Sequence, residues 1–507
     1  MSAGARDLRA TRDGGAAGLA LILLLHGALG VVDLGGVPRF FDDEAWEASL
    51  AWSLAHEGTL RNSSMTGCGG MDVHFVQPRI TLAIACSSLY ALGGTGITTC
   101  RLASLGVTTL GLLGTALLAR RWFGTATALG AALALALHPW FFEVSRRIRP
   151  EAYVLGFSAL GLWLLVMAVE NRRRGALAGA CLTFAGLAHP IGWLAVGAAG
   201  GGALAASGPA AVLRRVPALA LGATAVLLPY ALYVAIALRD PEVNFLRQLE
   251  ACGALFTATA GFYWEGLAEA WRFFFQWPLG APLAAVTAAA FAAAWRGGAR
   301  GDRAVAFALG VFLVAAPYGK AQVGRYLFAT TPLMALLIAR LIERLLRGDA
   351  ALFRGRPLLA RVLAGGVIAA YAATSIVAIG VLFWRVGGSD FDALLERIGR
   401  TVGRESLVYG DMLFWLGHEH YRFEPLHKER VVEDVSEELR EAGVDYVVRT
   451  AWEFPSSHAV SMPPLEMPPF RMTSVDRAAT QHGILVESFR DPYYGPVEIY
   501  RMEWSQR

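Results

Sequence analysis

Asp42-Asp43-Glu44 and Arg149-Pro150-Glu151 are two short charged clusters in a hydrophobic chain, each lying just past the end of a long apolar run. Charges held at a membrane boundary are costly and mark function more often than packing. When the apolar runs are counted as crossings, both clusters fall on one face, outside the cytoplasm, where ATP and nucleotide sugars are absent. Group transfer on that face needs a substrate that the membrane itself carries. Each cluster alone also fits a plainer reading. Acids favour the first turn of a helix, and Pro150 suits the first position of one. Their joint position on one face favours chemistry.

The elements that must hold these residues are membrane helices. Of 507 residues, 55% are hydrophobic and 17% charged, with a net charge of +4 and a mean hydropathy of +0.45. Soluble domains carry about 25% charged residues. The basic residues, 43 of 45 of them Arg, are scattered between apolar runs, which does not suit nucleic acid. The abundance of Ala, Gly and Arg suits a GC-rich bacterial gene.

About 20 apolar residues cross the hydrocarbon as a helix. The pattern gives about eleven spans, near 16–34, 102–119, 125–142, 152–169, 175–188, 191–206, 216–238, 279–295, 304–318, 326–341 and 362–383. Arginine clusters then occupy alternate loops: Arg120-Arg121, Arg172-Arg173-Arg174, Arg214-Arg215, Arg296 with Arg300 and Arg303, and Arg340 through Arg361. Basic residues concentrate in cytoplasmic loops, so the N-terminus lies inside and the C-terminus outside; the first span also has features of a signal peptide. Ile80–Gly93 breaks this parity and reads as a helix along or dipping into the outer surface rather than a crossing.

The outer face carries a long first loop, 35–101, with Asp42, Asp43, Glu44, His56, His74 and Arg79, and a long aromatic loop, Asp240–Pro278. It also carries Lys320 and Arg325 after the ninth span. With Arg146, Arg147 and Arg149, these cations run against the inside-positive trend, as an anionic ligand at the outer surface would require. Residues 1–384 read as the membrane domain and 385–507 as a soluble α/β domain outside. In the latter, strands are expected at Ser406–Tyr409, Tyr446–Arg449, Ile484–Glu487 and Val497–Arg501, and helices at Phe391–Ile398 and Val435–Glu441. Pro463–Pro469 reads as a proline-rich loop.

Phe41-Asp42-Asp43-Glu44-Ala45-Trp46, continuing Ala51-Trp52-Ser53-Leu54-Ala55-His56-Glu57-Gly58, resembles the start of the first outer loop of GT-C glycosyltransferases. The nearest resemblance is to protein O-mannosyltransferases and lipid A aminoarabinose transferases. Arg101-Leu102-Ala103-Ser104, Arg120-Arg121-Trp122-Phe123-Gly124, the Arg146–Glu151 stretch and Gly324-Arg325-Tyr326 follow in the same order, over roughly residues 15–345. The sequence departs from the pattern in three places. Trp46 replaces a usual Tyr, Glu151 stands where Asp is common, and a His-Pro-Pro element is reduced to Gln77-Pro78.

The resemblance implies an α-helical polytopic GT-C fold with a C-terminal soluble α/β domain. It implies inverting transfer of a sugar from a polyprenyl-phosphate carrier to a hydroxyl of a lipid, glycan or protein, in a bacterial inner membrane. The residues suit that reaction. Asp43 is the candidate general base, and Glu44 would position the acceptor or a metal, although the sequence implies no particular cofactor. Arg149, Lys320 and Arg325 are candidates for binding the departing phosphate, with Glu151 orienting an arginine or binding the acceptor. His74, His189 and Tyr326 are candidates for lining the cavity.

Other signals are weaker. His418, Glu419 and His420 read as a solvated loop. Asn62-Ser63-Ser64 fits a glycosylation pattern by chance, and Cys68 and Cys252 could pair outside. A transporter or lipid flippase, or a non-catalytic relative, remains the rival reading; charge gathered at one surface instead of the midplane, and no repeated half, weigh against transport.

Overall fold

The computed structural model describes residues 3–40, 42–64, 69–94, 96–168, 171–251, 280–315, 327–348, 355–410, 412–425, 435–450 and 474–504. Its helical part comprises α1 (Ala3–Val31), α2 (Asp42–His56), α3 (Ile80–Gly93), α4 (Ile97–Phe123), α5 (Thr125–Ala136), α6 (Pro139–Ser145), α7 (Pro150–Met167), α8 (Arg172–Ala188), α9 (Pro190–Ser207), α10 (Pro209–Leu213), α11 (Val216–Ala237), α12 (Phe245–Ala251), α13 (Gly280–Gly297), α14 (Arg300–Ala315), α15 (Thr331–Arg347) and α16 (Pro357–Val386). Proline sets several starts. Pro139, Pro150, Pro190, Pro209 and Pro357 each stand in a first turn, where the missing N–H costs nothing.

Among the described residues, six helices are long and apolar enough to cross a membrane: Gly14–Val31 within α1, then α4, α7, α9, α11 and Pro357–Trp384 within α16. The chain is a multi-pass membrane protein. The span expected at 125–142 is instead a pair, α5 and α6, bent by 66° at His138-Pro139. The other expected spans fall on α8, α13, α14 and α15, which are helical but shorter or more polar. With 14 residues, α3 is about 21 Å long, short of the roughly 30 Å hydrocarbon core.

Small residues let the bundle close tightly. A Cβ on Gly156 of α7 would lie 2.4 Å from the Val107 carbonyl oxygen of α4, so only glycine permits this approach.

The C-terminal segment forms α17 (Phe391–Val402), β1 (Leu407–Gly410), a 3-10 helix (Met412–Glu419), β2 (Arg422–Pro425), α18 (Ser436–Glu441), β3 (Tyr446–Thr450), α19 (Ser474–His482), β4 (Gly483–Asp491) and β5 (Gly495–Met502). The sheet order is β2-β1-β3-β5-β4. β1 runs parallel to β2 and β3, and β5 antiparallel to β3 and β4. β2, the 3-10 helix and α19 are additions to the sequence reading.

This sheet does not hang free. Gly388 N donates to Asp33 Oδ2 (2.9 Å), Ser389 Oγ to the Gly36 carbonyl (2.7 Å), and Trp415 Nε1 to Ser63 Oγ (3.1 Å). Phe40 stacks on Phe391 with ring centres 4.8 Å apart. One apolar core runs from Trp46 of α2 to Phe414 and Ile499.

Arg146 corrects one expectation. Its guanidinium donates to the carbonyls of Leu29, Gly30, Val32, Asp33 and Val37, at 2.5–3.0 Å. It is the clasp on the C-terminal end of α1, where orphan carbonyls and the helix dipole favour a cation. Its positive charge thus needs no external anion. Arg146→Lys keeps the charge but loses the planar fork, and should destabilise the fold by about 3 kcal/mol, read as a lower thermal midpoint of the purified protein.

Candidate active site

The first turn of α2 carries Asp43 and Glu44, neighbours with opposite surroundings. Glu44 is fully buried. Arg101 of α4 grips it with both arms, Nε to Oε2 at 3.0 Å and NH2 to Oε1 at 2.9 Å. Arg147 NH1 reaches Oε1 at 3.4 Å, and Ile148 N donates to Oε2 at 2.9 Å. Arg101 also ties down the carbonyls of Leu34 and Gly35, and Arg147 pairs with Glu143. With both oxygens occupied inside the protein, Glu44 fixes the start of α2 and offers no open direction to an acceptor or metal. Arg147 likewise serves an internal pair.

Asp43 faces the other way and its side chain is 35% exposed. Its Oδ2 accepts from Arg149 NH1 at 3.0 Å. Arg149 holds an extended conformation as the residue before Pro150, so its side chain leans back over the start of α7. There its Nε and NH2 bind both Glu151 oxygens, at 3.0 and 2.8 Å. The structure therefore brings Asp43, Arg149 and Glu151 together, with Arg149 the bridge. Burial works against this cation, but Glu151 and then Asp43 outweigh it and raise its pKa above the ordinary value.

One helical turn after Asp43, on the same face, Glu47 is buried near the cluster. Its partner is Arg79 at 3.6 Å, and its Oε2 has no hydrogen-bond partner among the described residues. Arg79 lies over the Trp46 ring, 4.9 Å from its centre, and its NH2 comes 3.1 Å from His189 Nε2. His189 lies between α8 and α9, with Nδ1 3.2 Å from Ile191 N. Burial, with Arg79 adding to it, pushes His189 down to about 3, so the ring is neutral and has one acceptor nitrogen for these two contacts. Burial pushes the Glu47 carboxyl up to about 8, against the attraction of Arg79.

The floor of the first loop is pinned from α11 and α12. Tyr233 donates to the carbonyls of Leu60 and Phe75, and Tyr230 to that of Val76. Gln248 donates to Gly69 and His74 carbonyls and accepts from Val76 N, while Gln77 donates to the Gln248 carbonyl. Gly70, at φ +74°, has the Glu242 carbonyl against it where a Cβ would stand. Gln77-Pro78 thus helps fasten the loop to α12. The His74 ring packs edge-on against Tyr233, 6.2 Å between centres.

The weaker sequence signals also have definite places in the fold. Asn62 is buried, its Oδ1 accepting from Ser49 Oγ and Ser64 N, and presents nothing for glycosylation. His418 is half-buried on the 3-10 helix between Trp52 and Trp415, at 4.9 and 4.6 Å between ring centres, not in a solvated loop. No group of three or more His, Cys, Asp or Glu among the described residues is placed to hold a metal ion. Lys320, Arg325, Tyr326, Cys68, Cys252, Pro463–Pro469 and most of the aromatic loop lie outside the described residues. Glu47 and Glu143 were missed in the sequence, and Arg79 and Arg101 carried no role there. For Glu47 the available signal was its spacing of four from Asp43.

Residues 80–235 match the family model of dolichyl-phosphate-mannose-protein mannosyltransferases. Among curated protein sequences none matches the chain. In fold the chain is similar to ArnT from Cupriavidus metallidurans bound to undecaprenyl phosphate, with a TM-score of 0.64, 15% identity, and coverage of 96% of this chain and 97% of that one. It is also similar to the archaeal oligosaccharyltransferase AglB from Archaeoglobus fulgidus in complex with an inhibitory peptide and a dolichol-phosphate. There the TM-score is 0.51 at 13% identity, covering 97% of this chain and 75% of that one. The resemblance to GT-C glycosyltransferases stands, and at these identities the structural likeness is one of fold.

Glu47 also makes a stability statement. In the unfolded chain its carboxyl ionises near the ordinary value of 4.5, whereas the folded protein keeps the proton to about 8. Folded stability therefore declines as pH rises through that window and is unaffected below it. Glu47→Gln has no proton to lose, so it should be more stable than wild type by on the order of 2 kcal/mol near about pH 7 and no more stable at about pH 4, measured as thermal midpoints.

Proposed function

We propose that this protein is a membrane glycosyltransferase that moves a sugar from a polyprenyl-phosphate carrier to an acceptor hydroxyl on the extracytoplasmic face, with inversion. The observation that carries the reading is Arg149 bridging Asp43 and Glu151: a partly exposed carboxylate beside a buried, fixed guanidinium. The undecaprenyl phosphate and dolichol-phosphate in the two similar structures support a lipid-linked donor.

Asp43 is the general base. As the acceptor oxygen attacks the anomeric carbon from the face opposite the phosphate, its proton passes to Asp43. The bond between that carbon and the phosphate oxygen breaks, and its electron pair leaves with the carrier phosphate. A single displacement through an oxocarbenium-like state inverts the anomeric centre. The phosphate gains negative charge as it departs, and Arg149, already oriented by Glu151, stabilises it without reorganisation. Lys320 and Arg325 are further phosphate-binding cations in this proposal, with His74, His189 and Tyr326 around the cavity.

We further propose eleven spans with a cytoplasmic N-terminus, in a bacterial inner membrane. Residues 1–384 form the catalytic membrane domain and 385–507 an outer domain that braces the first loop. The acceptor is a lipid, a glycan or a protein, and the sugar a hexose or pentose.

Asp43→Asn should lower the rate of sugar transfer about 10²–10⁴-fold with little change in thermal midpoint. The assay is label transfer from polyprenyl-phosphate sugars in proteoliposomes. Equal transfer by wild type and variant would remove Asp43 from the mechanism, and lipid or solute movement without transfer would replace the enzyme reading altogether.

A further inference from the structure

The ion pairs around the site link five carboxyls (Asp43, Glu44, Glu47, Glu143 and Glu151) to four guanidiniums (Arg79, Arg101, Arg147 and Arg149). Among the described residues this set therefore holds one carboxyl in excess. Four of the five have a guanidinium nitrogen within 2.8–3.0 Å. Glu47 has its nearest at 3.6 Å, and its side chain is 2% exposed. Its second oxygen finds no hydrogen-bond partner among the described residues. A buried carboxylate in that position is the costliest of the set to ionise.

The charges facing Glu47 come from every side. Arg79 approaches from the turn before α3, with His189 behind it. Glu151 and Arg149 face it from the start of α7, and Asp43 sits one turn earlier on its own helix. Two negative and two positive groups therefore surround it, and its own state decides whether this inner set is neutral or negative.

Resting on the donor reading above, we propose that Glu47 is protonated in the working site, and that its proton keeps the site neutral enough to admit the carrier phosphate. Ionisation of Glu47 places a third carboxylate beside Asp43 and Glu151 and weakens phosphate binding. The donor phosphodiester brings a negative charge, and the departing monoester carries one more. Both are therefore opposed by an ionised Glu47. The residue acts through the field of the site and is a positioning residue, not a catalytic one. Burial that holds the carboxyl neutral up to about pH 8 agrees with this role.

The test uses the full chain in nanodiscs with undecaprenyl phosphate as the probe. Binding by wild type should weaken about fivefold between about pH 7 and about pH 9, while Glu47→Gln should change less than about twofold over the same range. The lipid's own titration is common to all variants and cancels in the comparison. Arg79→Gln removes the cation that favours ionisation, so its weakening should set in at higher pH than in wild type. That variant serves if Glu47→Gln fails to fold. Equal weakening in wild type and Glu47→Gln, or an unshifted onset in Arg79→Gln, would overturn the proposal. Infrared spectra should show a protonated buried carboxyl in wild type at neutral pH that is absent from Glu47→Gln. Absence of that band overturns the protonation of Glu47, whether or not lipid binds. The band without binding of undecaprenyl phosphate at any pH overturns the donor reading, and the coupling with it.

Discussion

Glu44 is the fixed point of this molecule. Its two oxygens collect Arg101 from α4, Arg147 from the turn after α6 and the backbone N–H of Ile148, with no exposure to solvent. Three segments far apart in sequence are thereby locked at one place. Removing one partner of such a buried pair costs about 3–5 kcal/mol, because the other charge is left uncompensated. The position of Asp43 follows from this lock. Its neighbour cannot move, so the carboxylate stays directed at Arg149.

A second consequence concerns the order in which the charges are layered. Arg146, Arg147 and Arg149 are close in sequence, yet they serve a carbonyl cage, an internal ion pair and the partly open face of the site. The inner pairs are closed to solvent, while Asp43 in the outermost pair is partly exposed. Around this core, Tyr230 and Tyr233 of α11 and Gln248 of α12 hold the first loop on one side, and Ser389, Trp415 and Tyr494 of the C-terminal segment hold it on the other. The loop carrying Asp43 is consequently braced from both directions. A braced loop suits the role proposed for Asp43, that of a base meeting its substrate without rearranging.

Much of this was legible in the sequence. The apolar runs gave the helices, Pro150 the start of α7, and the short alternating segments four of the five strands among the described residues. The convergence of Asp43 with Arg149 and Glu151 followed from counting crossings. Two kinds of information were hidden. One was the division of labour between adjacent like residues: nothing local distinguishes Asp43 from Glu44, or Arg146 from Arg149, because partners 57 to 117 residues away decide it. The other was burial. Glu47 carried no role in the sequence, and its burial shows only where Arg79 and α7 close around it. The bend at His138-Pro139 was also missed, because the apolar run resumes at Trp140-Phe141-Phe142 and the His-Pro break inside it was read through.

The most direct measurement is an experimental structure of the protein with undecaprenyl phosphate bound. The phosphate should lie within about 3 Å of Arg149 nitrogen atoms, with Asp43 facing the side from which an acceptor would approach. A phosphate seated elsewhere, with Arg149 still closed between Asp43 and Glu151, would contradict the assignment of this cluster as the donor site.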